Sequence, residues 1–173
     1  YTEYGGWNID NFAITGDFIA SDVGVKSMTA PVSKCGLTSA ETVKVIVKNY
    51  GGATVSTPFD VGYSLDNGTT WVKQSFTDPI DSEEEIEFTF TQTANFSTAG
   101  LKQLKFKTFL TGDEDTGNDT YSKSFYIFPT VGIPYYTSFE SSNGYWYSSG
   151  TNSSWAWGVP TGTNIKSASN GTK

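Results

Sequence analysis

The stretch Glu41–Gly52, ETVKVIVKNYGG, constrains the fold more than any other part of the sequence. Val43, Val45 and Val47 lie at every second position and alternate with a second face that carries two lysines. A period of two is typical of a β-strand with one face on a core and the other in solvent. Asn49 and the glycines after it tolerate positive φ, so we expect the strand to end in a turn there. A lone strand is not stable, and the rest of the chain must supply its partners.

Six further segments show a similar alternation or are bounded by turn residues. They are Asp22–Met28, Phe59–Leu65, Thr70–Phe76, Ile86–Phe90, Leu101–Leu110 and Asp119–Ile127. Between two of them, Asp66-Asn67-Gly68 is the strongest hairpin signal in the chain. Seven strands with a turn roughly every dozen residues predict an all-β fold, a seven-stranded antiparallel immunoglobulin-like β-sandwich.

The alternation also predicts which side chains form the core and which face solvent. The residues expected in the core are Val43, Val45, Val47, Phe88, Phe90, Leu104 and Phe106. Lys105 and Lys107 are expected on the solvent face, and so are Glu85 and Glu87. We expect these glutamates and lysines to pair across strands, each pair contributing about 0.2–1 kcal/mol.

The composition excludes several classes of function. The chain has no histidine and all eleven of its basic residues are lysine, with a net charge of −7. The missing histidine removes Ser–His–Asp and Cys–His catalysis, and we expect no enzyme. The acidic charge argues against nucleic-acid partners and anionic membranes. Cys35 is the only cysteine, and a buried apolar thiol is favoured over a reactive or intermolecular one.

The two ends of the chain differ from its middle. Tyr1–Gly16 contains one candidate strand, and residues 129–134 read as a short linker. Residues 135–173 hold three of the five tryptophans together with much Ser, Asn and Gly. Forty residues with two or three short strands are too few to close a sandwich. The chain begins with tyrosine, has no signal peptide and no apolar run that could span a membrane, and we expect it to be part of a longer secreted protein.

The middle of the chain resembles a known family. The segments VKVIVKNYG and SLDNGTTW, the Cys35-Gly36-Leu37-Thr38 stretch and the closing Asn118-Asp119 are similar to CARDB-type domains. These are cell-adhesion-related, immunoglobulin-like modules of large bacterial surface and secreted proteins, and the resemblance covers residues 17–128.

The flanks resemble parts of MAM or laminin-G-like jelly rolls. GWNIDNFAI is similar to the last strand of such a domain, so residues 1–16 would close a preceding jelly roll. PYYTSFE and SSWAWGVP are similar to early strands, so residues 135–173 would open a second one. The implied parent protein is a tandem array of jelly roll, immunoglobulin-like domain and jelly roll.

This resemblance implies a non-catalytic spacer or adhesion module of an extracellular multidomain protein. The alternative is a carbohydrate-binding accessory module of a secreted hydrolase or protease. The expected partners are neighbouring domains of the same chain and a surface glycan or protein ligand, without nucleic acid or membrane insertion. The incomplete ends present unpaired strand edges, and strand exchange between copies of the chain is a further hypothesis.

Oxygen-bearing side chains between the last two predicted strands suggest a metal site. Asp113, Asp115, Asn118 and Asp119 are of the ligand type that Ca²⁺ prefers. The alternative is a polar loop in which Asn118 and Asp119 cap turns. The jelly-roll resemblance implies a second, structural Ca²⁺ site, with Asp10 as a late-strand ligand of one domain and Glu140 as an early-strand ligand of the next.

The tryptophans near the end of the chain are candidates for carbohydrate binding. Flat rings stack on sugar faces, and Trp146, Trp155 and Trp157 lie within a dozen residues of one another. Packing in a core explains the same residues, because aromatic side chains bury large apolar areas.

Overall fold

The computed structural model describes residues 19–153 and 155–162, which form eight β-strands and no helix. The strands are β1 (Val23–Ala30), β2 (Lys34–Cys35), β3 (Lys44–Asn49), β4 (Phe59–Ser64), β5 (Val72–Phe76), β6 (Glu85–Thr89), β7 (Gly100–Phe109) and β8 (Thr120–Phe128). The all-β prediction is confirmed. Each of the seven predicted strands is present, and β2 is an addition, because two residues are too few to show a period.

The strands divide into two sheets. One has three strands in the order β1-β3-β6, and the other has five in the order β2-β8-β7-β4-β5. Every pairing is antiparallel except that of β2 with β8, which is parallel. The loop with Asp66-Asn67-Gly68 joins β4 to β5 as the predicted hairpin, and Asn67 and Gly68 both have positive φ.

Apolar side chains from both sheets meet in one core. The predicted core residues that are buried are Val43, Val45, Val47, Phe90, Leu104 and Phe106. Phe88 is only partly buried, because it lies at the border of the core against the rings of Phe76 and Phe90. The period of two therefore identified the inward face correctly in β3, in β6 with the adjoining Phe90, and in β7.

The predicted pairing of Glu85 and Glu87 with the lysines of β7 is wrong. Strand β6 lies beside β3 in the three-stranded sheet, whereas β7 belongs to the other sheet. The glutamates pair with lysines of their own sheet instead. The ion pairs are Lys26–Glu85, Lys44–Glu87 at 2.8 Å and Lys48–Glu83 at 2.6 Å. The lysines of β7 are left without these partners.

A buried amide holds the turn after the organising strand. The Nδ2 of Asn49 donates to the carbonyls of Ala53 at 2.8 Å and Ile80 at 3.0 Å. Its Oδ1 accepts from the backbone N–H of Gly51 at 2.9 Å. A Cβ at Gly51 would lie only 2.3 Å from the carbonyl oxygen of Ala20, so this position has no room for a side chain.

The prediction of a buried Cys35 is wrong, because its side chain is exposed. Cys35 lies in β2 at the edge of the five-stranded sheet, where it pairs with Phe128. Gly36 follows with positive φ, and the chain turns so that Leu37 takes the buried position.

The two ends of the sandwich receive different parts of the chain. Ile19 and Asp22 form backbone hydrogen bonds to the turn after β3, beside the start of β1. At the other end, β8 finishes at Phe128 next to β2. The chain therefore approaches the sandwich at one end and leaves it at the opposite end.

The flanking segments give less information. Residues 129–153 and 155–162 form no strand, so the predicted jelly-roll strands there are unconfirmed. Residues 1–16, with the other jelly-roll prediction, lie outside the described residues, and the strand-exchange hypothesis that depends on them stays a prediction. Across the described ranges, nothing forms a helix long and apolar enough to cross a membrane.

Candidate functional sites

The acidic loop, residues 111–119 between β7 and β8, lies against the leading segment, residues 19–22. The carboxylate of Glu114 accepts the backbone N–H groups of Ala20 at 3.2 Å and Ser21 at 3.4 Å. The N–H of Glu114 donates to the carbonyl of Ser21 at 2.9 Å. Asp113 Oδ2 accepts the N–H of Val23, the first residue of β1, at 3.0 Å. These bonds attach the approaching chain to the end of the sandwich.

Two aspartates of the acidic loop also hold its internal turns. Asp113 Oδ1 accepts the N–H of Asp115 at 3.0 Å, and Asp115 Oδ1 accepts the N–H of Gly117 at 2.9 Å. The polar-loop alternative expected Asn118 and Asp119 to cap turns in this loop. The side chains that cap the turns are those of Asp113 and Asp115, rather than those of Asn118 and Asp119.

Asp22 is a buried carboxylate at this site that sequence reasoning missed. Its side chain is 3% exposed, and its Oδ1 accepts from Nδ2 of Asn118 at 2.7 Å. Burial raises the pKa of Asp22, the Asn118 hydrogen bond opposes the rise, and the charges of Asp113, Asp115 and Glu114 add to it. About ninety residues separate Asp22 from the loop, so no local motif marks the pair.

Asp119 is the second buried carboxylate. Burial raises its pKa, and the charge of Asp113 adds to this rise. The ammonium group of Lys107, 3.9 Å from Asp119 Oδ2, acts in the opposite direction. Nearby, the Oδ1 of Asn118 is a buried acceptor without a hydrogen-bond partner, and it lies against the backbone of Gly24.

The four predicted calcium ligands of the loop each have different partners within the chain. Asp113 and Asp115 accept backbone N–H groups, Asn118 donates to Asp22, and Asp119 lies beside Thr108 and Lys107. In residues 19–153 and 155–162, no group of three or more His, Cys, Asp or Glu side chains is arranged to hold a metal ion. Calcium at this loop stays a prediction.

The second predicted calcium site is divided by the limits of the described residues. Asp10 lies outside them. Glu140 is half-buried, and its N–H donates to Ser138 Oγ at 3.4 Å. A site shared by Asp10 and Glu140 stays a prediction.

The three candidate tryptophans occupy two different pockets. Trp155 and Trp157 line a shallow pocket of about 220 Å³ together with Phe139, whose carbonyl accepts from Trp157 Nε1 at 2.6 Å. Trp146 does not belong to this pocket and instead lines a groove together with Tyr145 and Tyr147. The exposed fractions are 56% for Trp146, 42% for Trp155 and 37% for Trp157, so none of the three is part of the sandwich core.

The aromatic groove lies between the end of β8 and the segment that follows it. Its volume is about 410 Å³. The residues that line it are Tyr126, Phe128, Pro129, Asn143, Tyr145 and Tyr147. The rings of Phe128 and Tyr147 are stacked at 5.7 Å, and Tyr126 and Phe128 are 5.2 Å apart. Two outward aromatic residues in β8 were the available sequence signal, but their partners lie almost twenty residues further along.

Comparison with known proteins gives a structural likeness only. No family model matches the sequence, and no curated protein matches it. The crystal structure of the CARDB domain of the PF1109 protein from Pyrococcus furiosus, in complex with di-metal ions, is 20% identical. That match covers 70% of this chain and 99% of that chain with a TM-score of 0.46. The solution NMR structure of the same domain is 19% identical, covering 65% of this chain and 97% of that chain with a TM-score of 0.43.

Both matched structures are CARDB domains, the type of domain that the middle of the chain resembles. The MAM-like flanks are not part of them and stay predictions.

Proposed function

We propose that this chain is a non-catalytic spacer and adhesion module of a larger extracellular protein, with an immunoglobulin-like sandwich as its rigid body. The proposal rests on the positions of two connections, the segment that leads into β1 and the segment that follows β8. They lie at opposite ends of the sandwich. Strand β8 alone has nine residues, which span roughly 30 Å at about 3.3 Å per residue. A domain with this geometry separates its neighbours in a tandem array by its own length.

Both connections are attached to the sandwich, which supports a spacer of fixed geometry. At the near end, the acidic loop accepts three backbone N–H groups from the leading segment and the start of β1. At the far end, Tyr147 stacks on Phe128 and holds the departing chain against β8. Loosely joined domains would lack these contacts and would move independently.

A distance measurement tests the spacer. Spin labels at Ser21→Cys and Thr130→Cys, in a Cys35→Ser background, report the separation of the two connections by pulsed electron resonance. We expect one narrow distribution centred at roughly 30 Å. Adding Glu114→Ala should broaden it, because Ala20 and Ser21 lose their acceptor. A broad distribution in the chain that retains Glu114 would contradict the proposal.

The adhesion part of the proposal has a separate test. Beads coated with the intact chain should be retained on glycan-coated or protein-coated surfaces, whereas beads coated with albumin should not. Equal retention of both kinds of bead would contradict adhesion. That the chain is not an enzyme, and that it acts outside the cell, belong to the proposal and stay predictions.

The aromatic groove favours a second candidate, carbohydrate binding as an accessory module. Its lining is mostly aromatic, and rings of this kind stack on sugar faces. A neutral-glycan array tests the idea, with Tyr147→Ala in the groove and Trp155→Ala in the separate pocket. Tyr136→Ala is the control, because Tyr136 is 85% exposed and lines neither site. Selective binding that only the control retains supports this candidate, and an array without signal contradicts it.

A further inference from the structure

A second concavity lies at the same end of the sandwich as the aromatic groove. We call it the amide pocket, and its volume is about 420 Å³. It is formed by the loop between β4 and β5, the loop before β7 and the first residues of β7. Among the residues that line it are Leu65, Asp66, Asn67, Leu101, Lys102 and Gln103.

The amide pocket and the aromatic groove meet at one pair of residues on neighbouring strands. Leu101 of β7 lies directly opposite Tyr126 of β8 in the antiparallel register. Leu101 lines the amide pocket, and Tyr126 lines the aromatic groove. Because Phe125 and Ile127 are buried, Tyr126 points to the outer face of the sheet, and the side chain opposite it lies about 5 Å away on the same face. The two concavities therefore form one extended surface, which we call the far-end surface.

Exposed apolar side chains run along the whole far-end surface. Leu101 is 70% exposed and Leu65 is 50% exposed, although both lie at the ends of core strands. Tyr126, Tyr145 and Tyr147 continue the exposed apolar area into the aromatic groove. Contiguous exposed side chains of this size usually mark a place where a ligand or a partner binds.

The amide pocket adds hydrogen-bonding groups that the chain itself does not use. The side chains of Asn67 and Gln103 form no hydrogen bond with any residue that the structure describes. Asn49 and Gln74, in contrast, bind backbone groups of neighbouring segments through their amides. Each unused amide offers two N–H donors and one oxygen acceptor to a ligand. The pocket therefore combines exposed leucines with free amide groups.

The lining of the far-end surface has no surplus of either charge. None of the six residues that line the aromatic groove is charged. The amide pocket has one acidic and one basic side chain, Asp66 and Lys102. The carboxylate of Asp66 accepts from the hydroxyls of Ser64 at 2.7 Å and Thr70 at 2.6 Å, so it is already bound within the hairpin loop. An uncharged ligand therefore fits this surface better than a polyanion or a polycation does.

We propose that the far-end surface binds a neutral, linear, β-linked polysaccharide, an inference that rests on the carbohydrate-binding candidate above and extends its site. Sugar rings stack on Tyr126 and Tyr147 in the groove, and hydroxyl groups further along the same sugar chain bind the amides of Asn67 and Gln103. Strands β8, β7 and β4 follow one another at spacings of about 4.8 Å, so the two halves of the site are roughly 10 Å apart across the sheet. A single sugar ring cannot reach both halves, whereas an extended oligosaccharide can. The coiled chain of an α-linked glucan fits this path less well.

Titration of the intact chain with neutral oligosaccharides of two lengths tests the proposal. The probes are the hexasaccharides and disaccharides of β-1,4-linked glucose and of β-1,4-linked mannose, with maltohexaose as the α-linked comparison. We expect at least one β-linked hexasaccharide to bind about tenfold or more tightly than its disaccharide, because only the longer ligand adds hydrogen bonds in the amide pocket. Backbone amide NMR signals of Asn67 and Gln103 should shift with the hexasaccharide and not with the disaccharide.

Matched double variants locate the second half of the site. Asn67→Gly with Gln103→Ala removes both free amides, and glycine accommodates the positive φ of position 67. This variant should bind the hexasaccharide about tenfold more weakly and the disaccharide within about twofold of the parent chain. The control, Asn152→Gly with Ser75→Ala, removes an exposed amide at positive φ and an exposed hydroxyl that line neither concavity, and it should bind both ligands as the parent does. Thermal unfolding verifies that both variants are folded.

Equal affinity for the two lengths, equal losses in the two double variants, or equal binding of maltohexaose would overturn the proposal. Binding of a polyproline peptide that depends on Tyr147, without binding of any hexasaccharide, would assign the groove to a protein partner instead. Failure of the extension is distinguishable from failure of the carbohydrate candidate. A disaccharide that binds and is lost in Tyr147→Ala, without any contribution from the amides, keeps the candidate and rejects the extension. Absence of binding for every oligosaccharide rejects both.

Discussion

Asn49 shows how a single residue holds the end of the organising strand. Its side chain satisfies three backbone groups, those of Gly51, Ala53 and Ile80, in a fully buried position. Asn49→Ala leaves these groups without a partner, and we expect the free energy of unfolding to fall by about 3 kcal/mol. Urea unfolding measures this change.

The control for Asn49 is Asn95→Ala. The Asn95 side chain also accepts from nearby groups, those of Ser97, but it is exposed, so water replaces the lost bonds. We expect a loss of less than about 1 kcal/mol. Equal losses at the two positions would show that burial of the Asn49 amide does not matter.

The raised pKa of Asp22 predicts an unusual pH dependence. Because the folded protein binds this proton at higher pH than the unfolded chain does, the stability contributed by Asp22 rises as pH falls through its folded pKa. The change is complete below the unfolded pKa of about 3.9. Asp22→Asn should therefore be more stable than the parent chain at pH 7, with the difference shrinking toward pH 4 and below. Thermal unfolding across this pH range measures it, and a difference independent of pH would contradict the assignment.

The pH dependence of stability expected from Asp66 has the opposite sign to that expected from Asp22. Hydrogen bonds from Thr70, joined by one from Ser64, lower its pKa to about 2. A lowered pKa means that the stabilisation is present above the unfolded pKa and is lost as pH falls through the folded one. Asp66→Ala should therefore be destabilised at pH 7, with the effect fading between about pH 4 and pH 2. This matched variant separates the two pH effects from a general effect of removing a carboxylate.

At the scale of the elements, the alternation of apolar residues located the strands correctly but did not show which strands lie side by side. Val43, Val45 and Val47 lie fully buried in β3, as their spacing predicts. The same spacing says nothing about which sheet a strand joins, and the expected pairing of Glu85 with a lysine of β7 failed for that reason. Pairing depends on the path of the loops, which carry no period.

The candidate sites were harder to predict than the strands, because each depends on contacts between distant segments. Asp22 precedes the acidic loop by about ninety residues and meets it only in the folded chain, so the loop read alone does not show this buried carboxylate. Phe128 and Tyr147 stack across an irregular segment that no periodicity describes. The aromatic composition indicated a candidate carbohydrate site in this region, but only the fold shows which residues line the groove.

The exposure of Cys35 in strand β2, which differs from the sequence prediction, can be tested directly. Cys35 is exposed in this two-residue edge strand, so its thiol should react with a disulfide reagent in the native state. We expect one thiol per chain to react without denaturant, at a rate within about tenfold of that in urea. Quenching urea-unfolded and native samples in parallel provides the comparison. A thiol that reacts only after unfolding would contradict the exposed position of Cys35 and would support the predicted buried thiol.

At the scale of the whole molecule, the sandwich contains its own core. All buried apolar residues that the structure describes lie between Val23 and Ile127. In residues 129–153 and 155–162, no apolar side chain belongs to the buried core, and the stacking of Tyr147 on Phe128 is a contact at the surface. We therefore expect the free energy of unfolding to depend mainly on the residues up to Phe128. The later segment, which carries three tryptophans and most of the aromatic groove, should contribute little.

Truncation tests this division. A chain that ends at Thr130 retains every strand that the structure describes, and we expect it to unfold cooperatively with a free energy within about 1 kcal/mol of that of the full chain. The matched control ends at Tyr126, which removes the buried Ile127 and the pairing of β8 with β2. That chain should lose at least about 2 kcal/mol, the usual contribution of one buried large aliphatic side chain. Denaturant unfolding of both chains decides the question, because a core extending into residues 131–162 would make the first truncation as harmful as the second.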